Sequence, residues 1–282
     1  MKERYIGRIL LLIAFSALCA LLLISIFVVK EGMAALFSTG FFSFLFGREW
    51  NPDARIFGIL PFILGSLWAT VGALVIGVPV GVGCAIFLAE FVPSRAVLFL
   101  KPAIELLAAI PSVVFGFIGV VVLTPVMRSF FGGSGASLLT ASCVLGVMIL
   151  PTIISISLDA FRAVPPSFKE GSIALGATRW QTVRMVLLPA AKPGIAAGVI
   201  LGMGRAIGET MAVIMVAGNA IKVPLSILAP ARTLTTNIAL EMGYAAGPHR
   251  QALFACGIVL FLFVMVLNVV ANAFIRSHRN EG

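Results

Sequence analysis

Arg205 and Glu209 are the residues of this chain whose types and spacing first raise a question of chemistry. They stand in GMGRAIGETMAV (Gly202 to Val213), inside a long apolar stretch. Four positions apart on a helix, they share a face and can pair. A charge at the centre of a membrane-spanning helix costs about 2.5–3.5 kcal/mol on insertion scales, so two of them require a reason. Two readings supply one. An intrahelical ion pair could fix how the span packs. Alternatively the span lines a path for an anion, with Arg205 supplying positive potential and a planar fork of donors. Glu209 would then hold Arg205 in place and keep the path from trapping the anion, and Thr210 would offer a neutral hydrogen-bond partner. Glu105 and Asp159 lie nearer span ends, where a solvated or loop-anchoring role is expected.

A second stretch, FKEGSIALGATRWQTVRMVLLP (Phe168 to Pro189), reads as soluble helix between apolar spans. Ser167 followed by Glu170 has the spacing of a capping box, and so has Thr178 followed by Gln181. Gly176 between them is the residue type that tolerates a left-handed stop. The second helix is expected to end near Leu188, ahead of Pro189. Helix, glycine turn and helix, carrying Lys169, Arg179 and Arg184 and flanked by apolar spans, read from spacing alone as a capped loop with no partner.

These residues must be positioned by a membrane protein. Of 282 residues, 60% are hydrophobic and 11% charged, and the mean hydropathy is +1.12. No soluble domain of this size hides so much apolar surface. The net charge of +9 does not imply nucleic acid, because the basic residues cluster at span ends. Cys19, Cys84, Cys143 and Cys256 each fall in a separate apolar run and read as small core residues. His249 and His278 are isolated, no metal-ligand cluster stands out, and no phosphate-binding GxxxxGK[ST], GxSxG or HExxH occurs. No cofactor is therefore expected in this chain, and any ATP hydrolysis belongs to another one.

Six spans are predicted. Ile9 to Val29 follows Lys2, Arg4 and Arg8 and is too long for a signal-peptide core, so it reads as a retained anchor. Lys30 to Phe57 reads as a loop outside the membrane, with Phe41, Phe42, Phe44, Phe46 and Trp50 at the interface. Gly58 to Phe91 is expected to open with a short surface helix that breaks near Pro61, and its Gly77 and Gly81 flank Pro79 in a GxxxG. Span three (about Pro102 to Val126) can break at Pro111, freeing a carbonyl at membrane depth, and Met127 to Ala136 follows as a flexible loop. Span four is about Ser137 to Phe161. Span five, about Pro193 to Val216, has one small-residue line at Gly194, Gly198 and Gly202 and another at Gly204 and Gly208, implying neighbours on two faces. Between Asn219 and Gln251, TLTTNIALEM (Thr233 to Met242) could form a short helix dipping toward the membrane, and Ala252 to Ile275 is span six. The expected organisation is 1–57 anchor and outer loop, 58–275 transmembrane domain, 276–282 tail.

Six spans put both termini on one side. That side carries 12 of the 20 Lys and Arg residues and the other carries 7, leaving Arg205 within a span. The bias places the termini and the 168–189 stretch in the cytoplasm.

Glu170-Gly171-Ser172, with Gly176 and then Val186-Leu187-Leu188-Pro189, resembles the EAA loop of importer-type ABC permeases. The family's two alanines are Gly171 and Ser172 here, which keeps them small, although Gly171 weakens the helix by roughly 1 kcal/mol. The resemblance implies an all-α integral membrane protein with six transmembrane helices, the type I ABC importer permease fold, and a cytoplasmic coupling helix seated on an ATPase. Glu170, Gly171, Ser172, Gly176, Leu188 and Pro189 would carry that coupling. GRAIGETMAV and TLTTNIALEM, with FLAEF (Phe87 to Phe91) and IPSVVFGFIG (Ile110 to Gly119), are similar to the PstC-type permeases of bacterial phosphate importers. That resemblance covers about Pro61 to Ile275. It implies a multi-pass protein of the bacterial inner membrane and a translocation path at Arg205, Glu209 and Thr210. It also implies three partners: a second permease of PstA type, an ABC ATPase dimer and an extracytoplasmic phosphate-binding protein. A permease for another oxyanion, such as sulfate or molybdate, and a membrane-embedded enzyme acting on lipid phosphate are the competing expectations. The enzyme would need a nucleophile or acid–base set that the sequence does not display.

Overall fold

In a bilayer each backbone N–H and C=O must be satisfied within its own segment, and helices do this. The computed structural model describes residues 2–277 and is accordingly helical. It begins with α1 (Lys2–Thr39) and α2 (Phe41–Phe46). A minimal antiparallel hairpin of β1 (Trp50–Asn51) and β2 (Ile56–Phe57) follows, with Trp50 opposite Phe57. Next come α3 (Leu60–Glu90), α4 (Ser94–Ala109), α5 (Ser112–Ile118), a π-helical turn at Gly119–Leu123, α6 (Thr124–Phe131), α7 (Leu138–Arg162) and α8 (Pro166–Ala174). The chain closes with α9 (Arg179–Thr182), a second π turn at Val183–Leu187, α10 (Leu188–Gly208), α11 (Met211–Val216), α12 (Leu234–Glu241) and α13 (Gly247–Ser277). Among the described residues, six helical stretches are long and apolar enough to cross a membrane: Ile9–Thr39, Leu60–Glu90, Ser112–Phe131, Leu138–Arg162, Arg179–Gly208 and Gly247–Ala271.

Helix association in lipid depends on close approach, and glycine supplies it here. A Cβ at Gly77 would lie 2.8 Å from Ile149 Cδ1, and one at Gly81 would lie 2.7 Å from Ile153 Cγ2, so the GxxxG of α3 seats directly on α7. From the other side, a Cβ at Gly202 of α10 would come within 3.1 Å of Ile153 Cγ1. The centre of the molecule is thus α7 sandwiched between α3 and α10, with Leu145, Met148, Ile149 and Ile153 fully buried. A second cluster, at the hairpin end, joins Leu36, Phe44, Trp50, Phe57, Phe62, Leu234 and Leu253. A third, at the opposite end, joins Ala85, Leu88, Val97, Leu158, Phe161 and Val183. α1 reaches the hairpin end through Leu36 and α13 leaves it through Leu253. The two run antiparallel, so both ends of the described chain lie at the α8–α9 end.

The structure departs from the sequence expectations at several boundaries. α1 does not end near Val29 but continues to Thr39, and the loop expected from Lys30 begins at Gly40 (φ 83°). Lys30 and Glu31 close an apolar run, but both are good helix formers, and leaving the apolar run does not end a helix. Of the aromatics placed at the interface, Phe44 and Trp50 are core residues (0% and 5% exposed), while Phe41, Phe42 and Phe46 are exposed. Pro61 occupies the first turn of α3, where a missing N–H is harmless, so Leu60–Glu90 is one helix without the expected break. Span three does break at Pro111 as expected, but the residues ahead of it form α4, a helix of their own. α6 then runs to Phe131, and Arg128 Nη2 donates to the Ser134 carbonyl (3.1 Å), which leaves a held turn in place of a ten-residue loop. His278 and Arg279 of the expected tail lie outside the described residues.

Candidate functional site

The Phe168–Pro189 stretch forms the helix, turn and helix expected of it, with two corrections. No capping box forms at Ser167 and Glu170, because Pro165 and Pro166 set the start of α8 two residues earlier and Ser167 falls inside its first turn. Pro189 does not stop the second helix either. The π turn at Val183–Leu187 widens the helix just ahead of Pro189, which then sits in the first turn of α10, and Arg179–Gly208 is continuous. The other expectations hold. Gly176 adopts φ +85°, a region costly for any residue with a Cβ. Thr178 Oγ1 accepts from Gln181 N and Gln181 Oε1 from Thr178 N, completing the capping box.

Two contacts fix this element to the transmembrane body and to itself. Lys169 Nζ meets Glu90 Oε2 at 2.6 Å, joining α8 to the end of α3. Ser172 and Thr182 share a hydroxyl–hydroxyl bond of 3.0 Å between α8 and α9. Glu170 and Gly171 are exposed, Leu188 is half-buried and Pro189 exposed. Around the turn, Leu175 (91% exposed), Met185 and Trp180 point apolar surface outward. Leu175 and Met185 line a groove of about 380 Å³ together with Phe168, Gly171, Ser172 and Gln181. Exposed apolar side chains around a groove have the chemistry of a protein-docking surface.

Mid-span, the structure separates the residues that the sequence paired. α10 ends at Gly208, and Glu209 is extended (φ −70°, ψ 128°) before α11 begins at Met211. Gly208 weakens the helix, and the Glu209 carboxylate supplies the acceptor that the first N–H groups of α11 lack. Its Oε1 accepts from Thr210 N (3.1 Å) and Ala212 N (3.2 Å). The expected Arg205–Glu209 ion pair is therefore absent, because the two residues are no longer on one continuous helix. Instead Arg205 Nη2 donates to the carbonyl oxygen of Ala108 at 3.3 Å. That carbonyl is freed because α4 stops at Ala109 and the chain runs extended through Ile110 and Pro111. Thr210 Oγ1 turns back to Gly208 O (3.3 Å).

Two interrupted spans thus meet. A Cβ at Gly116 of α5 would fall 2.9 Å from Ala212 Cα of α11, so the segments beyond both breaks are packed together. On α10 the line Gly194, Gly198, Gly202 lies against α7 as expected, but the second line is open: a Cβ at Gly204 or Gly208 would meet nothing within 4 Å. Leu201, Gly204, Arg205 and Gly208 share this uncovered face, on which Arg205 is half-buried. Near the span ends, Lys101 Nζ contacts Asp159 (2.6 Å) and Glu105 (3.9 Å), the loop-anchoring role expected of them.

One polar cluster was not foreseen. Glu241 is 4% exposed. Its Oε1 accepts from Arg232 Nη1 (2.6 Å), and its Oε2 accepts from Trp50 Nε1 (2.8 Å) and meets His249 Nε2 (2.8 Å). Arg232 also donates to Asn237 Oδ1 (3.0 Å) and Asn219 O (3.2 Å). A carboxylate so buried needs this full set of partners, and the set ties the hairpin, α12 and the start of α13 together. It thereby holds α12, whose Thr235 Oγ1 donates to the Glu209 carbonyl at the mid-span break (3.1 Å). The sequence signal was a lone acidic residue in the apolar ALEM segment, nine positions after an arginine.

Residues 77–280 match the family model described as binding-protein-dependent transport system inner membrane component. The chain is 44% identical to the probable ABC transporter permease protein YqgH of Bacillus subtilis, over 90% of this chain and 88% of that protein. It is 38% identical to the phosphate transport system permease protein PstC of Pasteurella multocida, over 87% and 83% of the two chains. Among solved structures, the inward-facing MetNI methionine ABC transporter superposes with a TM-score of 0.62 at 21% identity, covering 81% of this chain and 99% of that one. A bacterial ABC transporter that imports alginate gives 0.63 at 18% identity, covering 94% and 95%.

Proposed function

The chain belongs to the family of inner membrane components of binding-protein-dependent transport systems, and from that premise we propose that it is the PstC-type permease of an ATP-driven phosphate importer. The family is one of transport subunits and not of enzymes. In this reading the chain forms half of the translocation pathway, and a second permease of PstA type covers the open α10 face of Leu201, Gly204, Arg205 and Gly208. The α8–α9 element docks on a cytoplasmic ATPase dimer, with Glu170, Gly171, Ser172 and Gly176 at the contact and Leu188 and Pro189 carrying the strain into α10. An extracytoplasmic phosphate-binding protein delivers to the hairpin end. Both termini are then cytoplasmic, lipid surrounds the remaining helices, and nucleic acid has no part.

The observation that carries this reading is Arg205 itself. A guanidinium on an open face in mid-span, beside two helix breaks, offers fixed positive charge where an anion leaving water needs it. PstC-type relatives are named for phosphate transport, which supports phosphate as the anion. Continuity of Arg179–Gly208 supports the coupling, since one helix joins the docking element to Arg205. The test is uptake into cells lacking their own high-affinity phosphate system but expressing this chain with its neighbouring permease, ATPase and binding protein. Labelled phosphate should accumulate on ATP hydrolysis and labelled sulfate should not. Accumulation of sulfate or molybdate in place of phosphate would reassign the substrate.

A further inference from the structure

We propose that Glu209 is a specificity-determining residue that admits an oxyanion carrying at least one proton and holds back one that is fully ionised. The proposal rests on the reading of Arg205 as the counter-charge of an anion path, and it begins from a difficulty that the reading creates. A carboxylate stands in the break one turn beyond Arg205, half-buried and mid-span, and among the described residues it meets no cation. Arg205 is engaged at Ala108 O and makes no ion pair with it. An unpaired negative charge beside an anion path is a barrier, by Coulomb repulsion in a poorly screened region.

The barrier becomes a filter if the anion brings a hydrogen. An ionised carboxylate is acceptor-only. Near neutral pH phosphate keeps at least one P–OH, which can donate to such an acceptor, whereas sulfate has no proton to offer. The geometry prepares Glu209 for this. Its Oε1 is fixed by the backbone N–H groups of Thr210 and Ala212, and Oε2 has no hydrogen-bond partner among the described residues. The break that holds it is itself braced by Thr235 on the Glu209 carbonyl. One oxygen positions the group and the other is left for the substrate. A hydrogen bond to a charged acceptor contributes about 1.5–3 kcal/mol, so the preference should be roughly tenfold or more.

The test uses the assembled permease–ATPase complex in nanodiscs without binding protein, so that upstream selection does not mask the permease. Bound labelled phosphate is challenged with unlabelled arsenate, which also keeps a proton, or with sulfate. In the wild type, arsenate should displace the label and sulfate should need at least about tenfold more. In Glu209→Gln, sulfate should compete nearly as well as arsenate, because an amide both donates and accepts, and its carbonyl oxygen still caps α11. Glu209→Asp, which retains the charge, should retain the discrimination. Equal competition in the wild type, or sulfate exclusion persisting in Glu209→Gln, overturns the filter. Phosphate uptake by the complete system with no phosphate bound to the complex also overturns it, while leaving the importer reading intact. Loss of phosphate uptake by the wild-type system would instead sink the importer reading itself.

Discussion

Arg205 donates to the carbonyl oxygen of Ala108, while Glu209, four residues on, caps the N-terminus of α11. The mid-span charges are therefore held by two different helix ends and not by each other. Residues in direct contact or in one salt-bridge network show interaction energies of about 0.5–3 kcal/mol, and a pair without such contact is expected to fall at or below the bottom of that range. The stability losses of Arg205→Gln and Glu209→Gln should accordingly sum in the double variant, measured by thermal unfolding of the detergent-solubilised complex. Each single variant should still lose transport, and Arg205→Lys, which keeps the charge without the planar fork, should keep part of it. A coupling above about 1 kcal/mol would mean that the ion pair forms after all.

Gly176 separates turn geometry from side-chain contact. A Cβ there would meet nothing within 4 Å, yet φ is +85°, so Gly176→Leu costs only the left-handed backbone penalty of about 1–2 kcal/mol. The variant should insert at normal levels and lose ATP-driven uptake because α9 is re-aimed. Glu170 is exposed, so Glu170→Ala should fold normally and also lose uptake. Both are read by membrane content and by ATPase co-purification, and normal transport with normal ATPase association would overturn the docking assignment.

Lys169 and Glu90 test whether α8 must be fixed to α3. Glu90 has a side chain only 10% exposed, so Lys169→Met leaves a nearly buried carboxylate without its cation. The loss should fall below the 3–5 kcal/mol of a fully buried pair, since Lys169 is 40% exposed and water screens it. Uptake should fall in Lys169→Glu and recover in the exchanged pair Lys169→Glu with Glu90→Lys. Failure of the exchange to recover would reduce the bridge to an incidental surface contact.

How much of this was legible depended on whether the determinant was local in the chain. The breaks at Pro111 and Gly176, the Thr178–Gln181 box and the Gly194–Gly198–Gly202 line are written in a few adjacent residues, and the structure follows them. The interruption at Glu209 was not legible, because the run GRAIGET has the period of an unbroken helix. What breaks it is tertiary: an acceptor for α11 and Thr235 arriving from α12. Continuity through Pro189 was hidden for a related reason, since a π turn absorbs the missing donor and leaves no sequence mark. The Glu241 cluster was beyond sequence reach altogether, because Trp50 and Glu241 lie 191 positions apart.

That cluster supplies the last prediction. Glu241 gathers Arg232, His249 and Trp50 in a site from which water is largely excluded. Trp50→Phe removes one donor to a carboxylate and keeps an aromatic ring, although a smaller one, so it should cost about 1.5–3 kcal/mol, the value of a hydrogen bond to a charged group. Glu241→Gln strands the Arg232 guanidinium, whose side chain is 13% exposed, and should approach the 3–5 kcal/mol lost when a buried pair is broken. Because α12 hangs from this cluster and its Thr235 braces the mid-span break, Glu241→Gln should also reduce uptake, although it lies away from Arg205. Thr235→Val, which removes the bond to the Glu209 carbonyl and a hydroxyl contact with Thr233 (3.0 Å) but leaves the partners of Glu241 in place, should reproduce the transport defect with a smaller loss of stability than Glu241→Gln. Thermal unfolding and phosphate uptake on the three variants separate the effects. If Thr235→Val transports normally, the cluster serves only to hold the hairpin end together and has no hand in the break.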